Sequence, residues 1–227
     1  MATPYFQIRL DRVPSTQDIA RDRFEDLPLL VLARGQTQGR GRSGAGWLNA
    51  DRALAASLAV PFEAADSRPL SLMAGVAATR ATEGTSLKWP NDVLRDGAKT
   101  GGILVERSGG LAVIGLGMNL WWPSPPEGAG ALFAEDPGEE AHAEIGALWG
   151  AELMEMIDGE GWPIDDYRKA CVTLGQEITW EPDGSGKAVD VADDGGLVVE
   201  TDSGREVIYS GAVSHVRDSG GGSSQGL

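Results

Sequence analysis

The spacing of apolar residues changes several times along this chain, and each change marks an element. Residues 5–10 alternate weakly between apolar and polar, the period of a half-exposed strand. In "VPSTQDIARDRF" either Ser15 or Thr16 is an N-cap with Asp18 in the first turn, which predicts a helix over about 17–25. "LPLLVLA" (27–33) is an unbroken apolar run, as in a buried strand, and "ALAASLAVP", ending at Pro61, reads as another. "SRPLSLMAGVAATRATEG" sets Leu72, Met73, Val76 and Ala77 at helical spacing and stops at Gly84. Extended runs follow in "TSLKWP", "DVLRDGAKTGGILVE" and "LAVIGLGMNL", punctuated by Asp96-Gly97 and Gly109-Gly110, the turn pairs of hairpins.

From Trp121 to about Glu139 the chain is rich in Pro, Gly and Ala and is predicted to be a surface loop. Residues 139–158 carry Ile145, Leu148, Trp149, Leu153 and Met156 on one helical face, and "IDDYRKACVTL" (164–174) reads as one more helix. Helical period then ceases. Asp183-Gly184, Gly195-Gly196 and Ser203-Gly204 separate short strands, which predicts a small β-barrel of roughly 45 residues. The tail "DSGGGSSQGL" (218–227) is too polar and glycine-rich to pack and is predicted to be disordered. The expected fold is therefore α+β, a mixed and mainly antiparallel sheet with flanking helices over 1–174, followed by the small barrel over 175–217.

Composition narrows the chemistry. With 227 residues, 41% of them hydrophobic, the chain can bury one sizeable core plus an appendage. Cys171 stands alone, so no intramolecular disulfide forms. The N-terminal residues lack a basic region followed by an apolar run, and no 18-residue apolar stretch occurs, so a cytoplasmic protein without membrane association is expected. A net charge of −15, from 34 acids against 19 bases, argues against general binding to nucleic acid or anionic membranes. Any anion must be captured locally, and the candidates are Arg40 with Arg42 and Lys88 with Lys99.

"GQTQGRGRSGAGW" (35–47) contains a literal G-x-G-x-x-G at Gly39, Gly41 and Gly44. A dinucleotide fingerprint also requires a helix directly after the glycines, and here a second strand follows instead. Arg40 and Arg42 alternate with the glycines, which places two guanidinium groups on a loop rich in backbone N–H donors, an arrangement suited to a phosphate or carboxylate. In "SLKWPNDVLRDGAKTGGILVE", Lys88 precedes a Pro-Asn-Asp turn and Lys99 follows the next hairpin, so the two can approach one cleft from neighbouring strands.

The arginine-glycine loop followed by "KWPND" (88–92), Lys99 eleven residues after Lys88, and "GGILVE" (101–106) resembles the biotin protein ligase family, which belongs with the lipoate ligases. "STQD" (15–18) is similar to its Ser-Thr-Asn segment, "GLGMN" (115–119) to a later core strand, and the C-terminal strands to its SH3-like domain. The resemblance implies a mixed sheet with helices on one side, and activation of biotin by ATP to biotinyl-5′-adenylate with Mg2+. Biotin would then pass to a lysine of a biotin carboxyl carrier domain of a carboxylase. By the same resemblance Ser15, Thr16, Gln17 and Gln36 would bind the ureido ring, and Arg40, Gly41 and Arg42 would close over carboxylate and phosphate. Lys99 would bind the biotin carboxylate and the α-phosphate as a catalytic charge with Arg42, and Asp92 would receive the acceptor lysine. Gly39, Trp47, Lys88, Asn91 and Asn119 complete the expected nucleotide contacts, and no protein metal ligand is assigned.

Two positions depart from the family pattern: Gln17 stands where Asn is usual, and Ala45 where a further basic residue often follows the loop. Members that repress transcription carry a helix-turn-helix domain first. Ser15 lies too near the start for one, so DNA binding is not expected. The competing readings are a lipoate or octanoate ligase and a catalytically silent biotin-binding module.

Overall fold

The computed structural model describes residues 3–63, 66–209 and 213–215, and the predicted disordered tail lies outside them. Strand β1 (Phe6–Val13) leads through helix α1 (Thr16–Asp22) into β2 (Leu29–Gln36), which pairs with β1 in parallel. The rest of the sheet is antiparallel. Strands β3 (Arg52–Pro61), β4 (Thr85–Lys88), β5 (Asp92–Arg95), β6 (Ala98–Ser108) and β7 (Leu111–Trp121) complete the order β1-β2-β3-β7-β6-β5-β4. Both turn pairs read from the sequence connect hairpins, with Gly97 and Gly110 at φ values of 79° and 81°, where an L side chain would be strained.

Alternation within β2 sends successive side chains to opposite faces. Leu30 and Leu32 join the main core with helices α2 (Leu70–Ala81) and α3 (Ala141–Asp158), whereas Leu29 and Val31 pack with Ala20 of α1. The expectation of helices on one side is corrected by this arrangement. The short helix linking two parallel strands lies against the face opposite α2 and α3. Close contact of α3 depends on missing side chains: a Cβ on Gly146 would lie 2.7 Å from Leu32 Cδ2, and one on Gly150 2.5 Å from Leu30 Cδ2. Trp149, fully buried between them, donates from Nε1 to the Ala74 carbonyl at 3.1 Å. Leu148, predicted on the buried face, is instead exposed.

Helix α4 (Ile164–Ala170) ends four residues before the sequence pattern does. The cause is tertiary. Val172 donates its amide to the Leu87 carbonyl, and the Thr173 hydroxyl accepts the Trp89 amide, so the segment pairs with β4 instead of continuing as helix. Beyond it, β8 (Glu177–Trp180), β9 (Gly184–Val191), β10 (Leu197–Thr201), β11 (Gly204–Ile208) and β12 (Val213–His215) form a five-stranded antiparallel sheet in the order β11-β10-β9-β8-β12. This is compatible with an SH3-like unit, although no ladder joins β11 to β12 among the described residues. The β9–β10 turn meets the larger sheet where Trp89 Nε1 donates to the Gly195 carbonyl at 3.0 Å.

Candidate active site

A cleft of about 770 Å³ opens over one face of the larger sheet. Its floor is built from glycines that interrupt β6 and β7. A Cβ on Gly117 would lie 2.8 Å from the Trp47 ring and one on Gly102 3.0 Å from it, while one on Gly115 would lie 3.0 Å from Gln17 Oε1. These strand glycines make room for Trp47 and Gln17 against the sheet. A glycine inside a strand is the available signal for close approach.

At one end the lining is neutral and polar. Ser15 caps α1 by accepting the Asp18 amide at 3.3 Å, and the next residue, Thr16, donates both its amide and its hydroxyl to Gln36 Oε1 at 2.8 and 3.1 Å. Ser57 of β3, which sequence reasoning missed, is fully buried and donates to the Thr16 hydroxyl at 2.8 Å. Asn49, also missed, fixes Gln36 by donating to its carbonyl at 2.6 Å and accepting its amide at 3.1 Å. Gln17 lines the cleft, but its Nε2 lies 3.3–3.4 Å from the carbonyls of Val113 and Leu104 and from Glu106, and its buried Oε1 has no partner. The longer side chain thus ties α1 to β6 and β7.

The arginine-glycine loop is a miniature hairpin. Gly41 and Trp47 donate to Ala45 and Gly39 at 2.6 and 2.9 Å, and Arg42–Gly44 form a single 3-10 turn at the tip. Gly44 sits at φ 76°. No dinucleotide-type helix follows the glycines. Arg42 donates to Asn91 Oδ1 at 3.0 Å, and Asn91 is itself held by the Ile103 carbonyl at 3.2 Å. Arg40 turns to Asp18, making two hydrogen bonds of 2.7 and 2.8 Å, and its guanidinium holds the Asp18 carboxyl below the usual range.

The cationic end lies on β4–β6. Asp92 opens β5 directly after the Trp89–Pro90–Asn91 turn, whose Trp89 is buried, and a bulge in β5–β6 brings Lys99 Nζ to 2.6 Å from Asp92 Oδ1. Lys88 also lines the cleft, and burial with Lys88 nearby pushes the His215 imidazole pKa down. Arg40 is neutralised by Asp18 and Glu106, and the remaining cations that line the cleft, Arg42, Lys88 and Lys99, stand against two acids, Asp92 and Glu181, in a chain whose net charge is −15. A local excess of this sign and depth suits an anion with a neutral, hydrogen-bonding end.

Of the residues expected at the site, Ser15, Thr16, Gln17, Gln36, Arg40, Gly41, Arg42, Trp47, Lys88, Asn91, Asp92 and Lys99 line this one cleft. Gly39 and Asn119 do not. Gly39 packs behind it against Gln36 and the Trp47 Cβ. Asn119 is buried, donates to the Gly130 carbonyl at 3.0 Å, and leaves its Oδ1 without a partner. No group of three or more His, Cys, Asp or Glu side chains that could hold a metal occurs among the described residues, and none of their helices is long and apolar enough to cross a membrane.

Comparison with known proteins places this geometry in context. Residues 10–119 match the Biotin/lipoate A/B protein ligase family, and residues 173–216 match the Biotin protein ligase C terminal domain. A biotin-acetyl-CoA-carboxylase ligase of Paracoccus denitrificans is 32% identical over 215 residues, covering 81% of this chain and 88% of its own length. A protein of the same name from Mycobacterium tuberculosis is 30% identical over 213 residues, covering 83% and 79%. Among solved structures, the biotin protein ligase from Aquifex aeolicus in complex with biotin and ATP superposes with a TM-score of 0.75 at 28% identity, covering 93% of this chain and 99% of that one.

Proposed function

The chain belongs to the biotin/lipoate A/B protein ligase family, and we propose within it an ATP-dependent ligase that activates biotin and attaches it to a carrier-protein lysine. The carboxylate oxygen of biotin attacks the α-phosphorus of ATP and pyrophosphate leaves, giving biotinyl-5′-adenylate. The carrier lysine then attacks the acyl carbon, an amide forms, AMP leaves and the amine gives up a proton. The first step brings two anions together and the second builds negative charge on the acyl oxygen and the departing AMP, so fixed cations and exclusion of water are what the protein can contribute.

The observation that carries this reading is the polarity of the cleft: one hydrogen-bonding end joined to one cationic end. Thr16, Gln36 and Ser57 offer paired donors and acceptors, as a ureido ring requires and a lipoyl or octanoyl tail does not. In this reading Lys99 leaves Asp92 for the α-phosphate when ATP binds, and Asp92 is freed to orient the incoming ammonium and take its proton. Arg42, propped by Asn91, covers the adenylate, and Lys88 meets the phosphates. Trp47, packed on Gly102 and Gly117, offers a ring face to the adenine. Asn119, with its unpartnered buried oxygen, and Gly39 belong to the shell behind these contacts. Mg2+ is proposed as the companion of ATP, carried mainly by the phosphates.

The proposed division is a catalytic unit over 1–174 and a C-terminal unit over 175–217. The proposed acceptor is the biotin carboxyl carrier domain of a carboxylase, in the cytoplasm, with no nucleic-acid or membrane partner. A silent biotin-binding module is the alternative that Lys99, Arg42 and Asp92 speak against. Incubation with ATP, Mg2+, labelled biotin and a carrier domain separates the two, because a ligase leaves label covalently on the carrier and a silent module leaves none.

A further inference from the structure

Four charged side chains from three elements close into a ring beside the cleft. Arg40 of the loop donates to both oxygens of Asp18 on α1 at 2.7 and 2.8 Å. Arg21, one turn further along α1, contacts Asp18 at 3.2 Å and donates to Glu106 of β6 at 2.6 Å. The other oxygen of Glu106 lies 3.6 Å from Arg40 and completes the circuit. The signs alternate and each guanidinium faces carboxylates, so the ring is neutral and offers no vacant charge to an anionic ligand.

The ring has a mechanical consequence. The loop carries two side chains that reach the body of the protein, Arg40 to the ring and Arg42 to Asn91. Closing a glycine-rich loop costs backbone entropy that such contacts must offset. Asp18 also sits two residues after Thr16 on the helix whose first turn lines the polar end of the cleft, so the ring links that end to the loop. All four side chains remain between 31% and 45% exposed, which keeps each ion pair weak and open to screening by salt. A bidentate guanidinium–carboxylate pair in such a place biases the loop toward closure while still letting it open once per turnover.

We propose that Asp18, Arg21 and Glu106 are positioning residues that clasp the loop shut through Arg40, and so hold Arg42 over the reactive intermediate. The Arg40 side chain is then the movable half of a clasp. The proposal rests on the ligase reading for its role in catalysis, but the clasp itself does not depend on ligand.

Two measurements on the full chain test it, using Asp18→Asn and Glu106→Gln with Asp18→Glu as the conservative control. Without ligand, trypsin should cut the loop after Arg40 or Arg42 about two- to fivefold faster in the first two variants than in the parent, with Asp18→Glu near the parent. With biotin and ATP but no carrier, labelled adenylate should escape faster by a similar factor, while its initial formation stays within about twofold of the parent. Added salt should speed release from the parent toward that of the variants. Parental cleavage in both variants, or parental release that salt does not touch, overturns the clasp. Faster cleavage in the variants, together with a parent that makes no adenylate, upholds the clasp and refutes the ligase reading alone.

Discussion

Lys99 Nζ lies 2.6 Å from Asp92 Oδ1, across the hairpin of β5 and β6. The Lys99 side chain is 44% exposed, so its ammonium is held at the cleft and still free to move. If its charge acts at the α-phosphate, Lys99→Ala should keep most biotin affinity but slow adenylate formation by about 100- to 1000-fold, the usual loss on removing one group that stabilises developing charge. Biotin titration by calorimetry together with pyrophosphate release reads both; pyrophosphate at a rate near the parent's would refute the assignment.

Asp92→Asn should have the converse pattern. Adenylate forms, but its transfer to a carrier lysine slows by roughly 100-fold, the contribution expected of a general base. Single-turnover transfer from preformed adenylate isolates the second step, and unchanged transfer would remove Asp92 from it.

Arg42→Gly should still permit the first half-reaction while retaining its product poorly. One charge-assisted hydrogen bond is worth roughly 1.5–3 kcal/mol, which corresponds to about 10- to 150-fold faster escape of the adenylate. Free adenylate acylates exposed amines, so the variant should biotinylate a bystander such as albumin that the parent leaves unlabelled. A variant that is simply inactive, or as selective as the parent, contradicts this role for the loop.

His215 of β12 gives a pH dependence. Burial first, and then the neighbouring Lys88, lower its folded pKa below 6.5. The unfolded chain therefore binds a proton that the folded chain resists, and stability present above pH 6.5 is lost as pH falls through the folded value. Thermal unfolding at pH 7.5 and 5.5 should show a larger loss of Tm in the parent than in His215→Asn; equal losses would show that this imidazole is not the titrating group.

Most of the fold was legible from residue pattern because local signals and tertiary structure agree there, whereas most of the cleft was legible only through the motifs that carry the family resemblance. The N-cap at Ser15, the turn pairs at Gly97 and Gly110, and the apolar run of β2 each do locally what the sheet requires globally. Illegible features are those decided by partners distant in sequence. The early end of α4 follows from Cys171–Thr173 meeting Leu87 and Trp89. The exposure of Leu148 follows from which side of α3 carries Gly146 and Gly150. Ser57 and Asn49 carry no motif, and they reach the site only because β3 brings Ser57 to Thr16 and its lead-in brings Asn49 to Gln36. Arg40 shows the same limit: its spacing in the loop advertises an anion, but the ring with Asp18 and Glu106 appears only when α1 and β6 are brought together.

If this cleft joins biotin to the α-phosphate of ATP, labelled pyrophosphate should exchange into ATP in a biotin-dependent reaction that needs no carrier. Exchange should require biotin and Mg2+, fall about 100- to 1000-fold in Lys99→Ala, and gain no support from lipoate or octanoate. Exchange driven by lipoate or octanoate, or none with biotin, would contradict it.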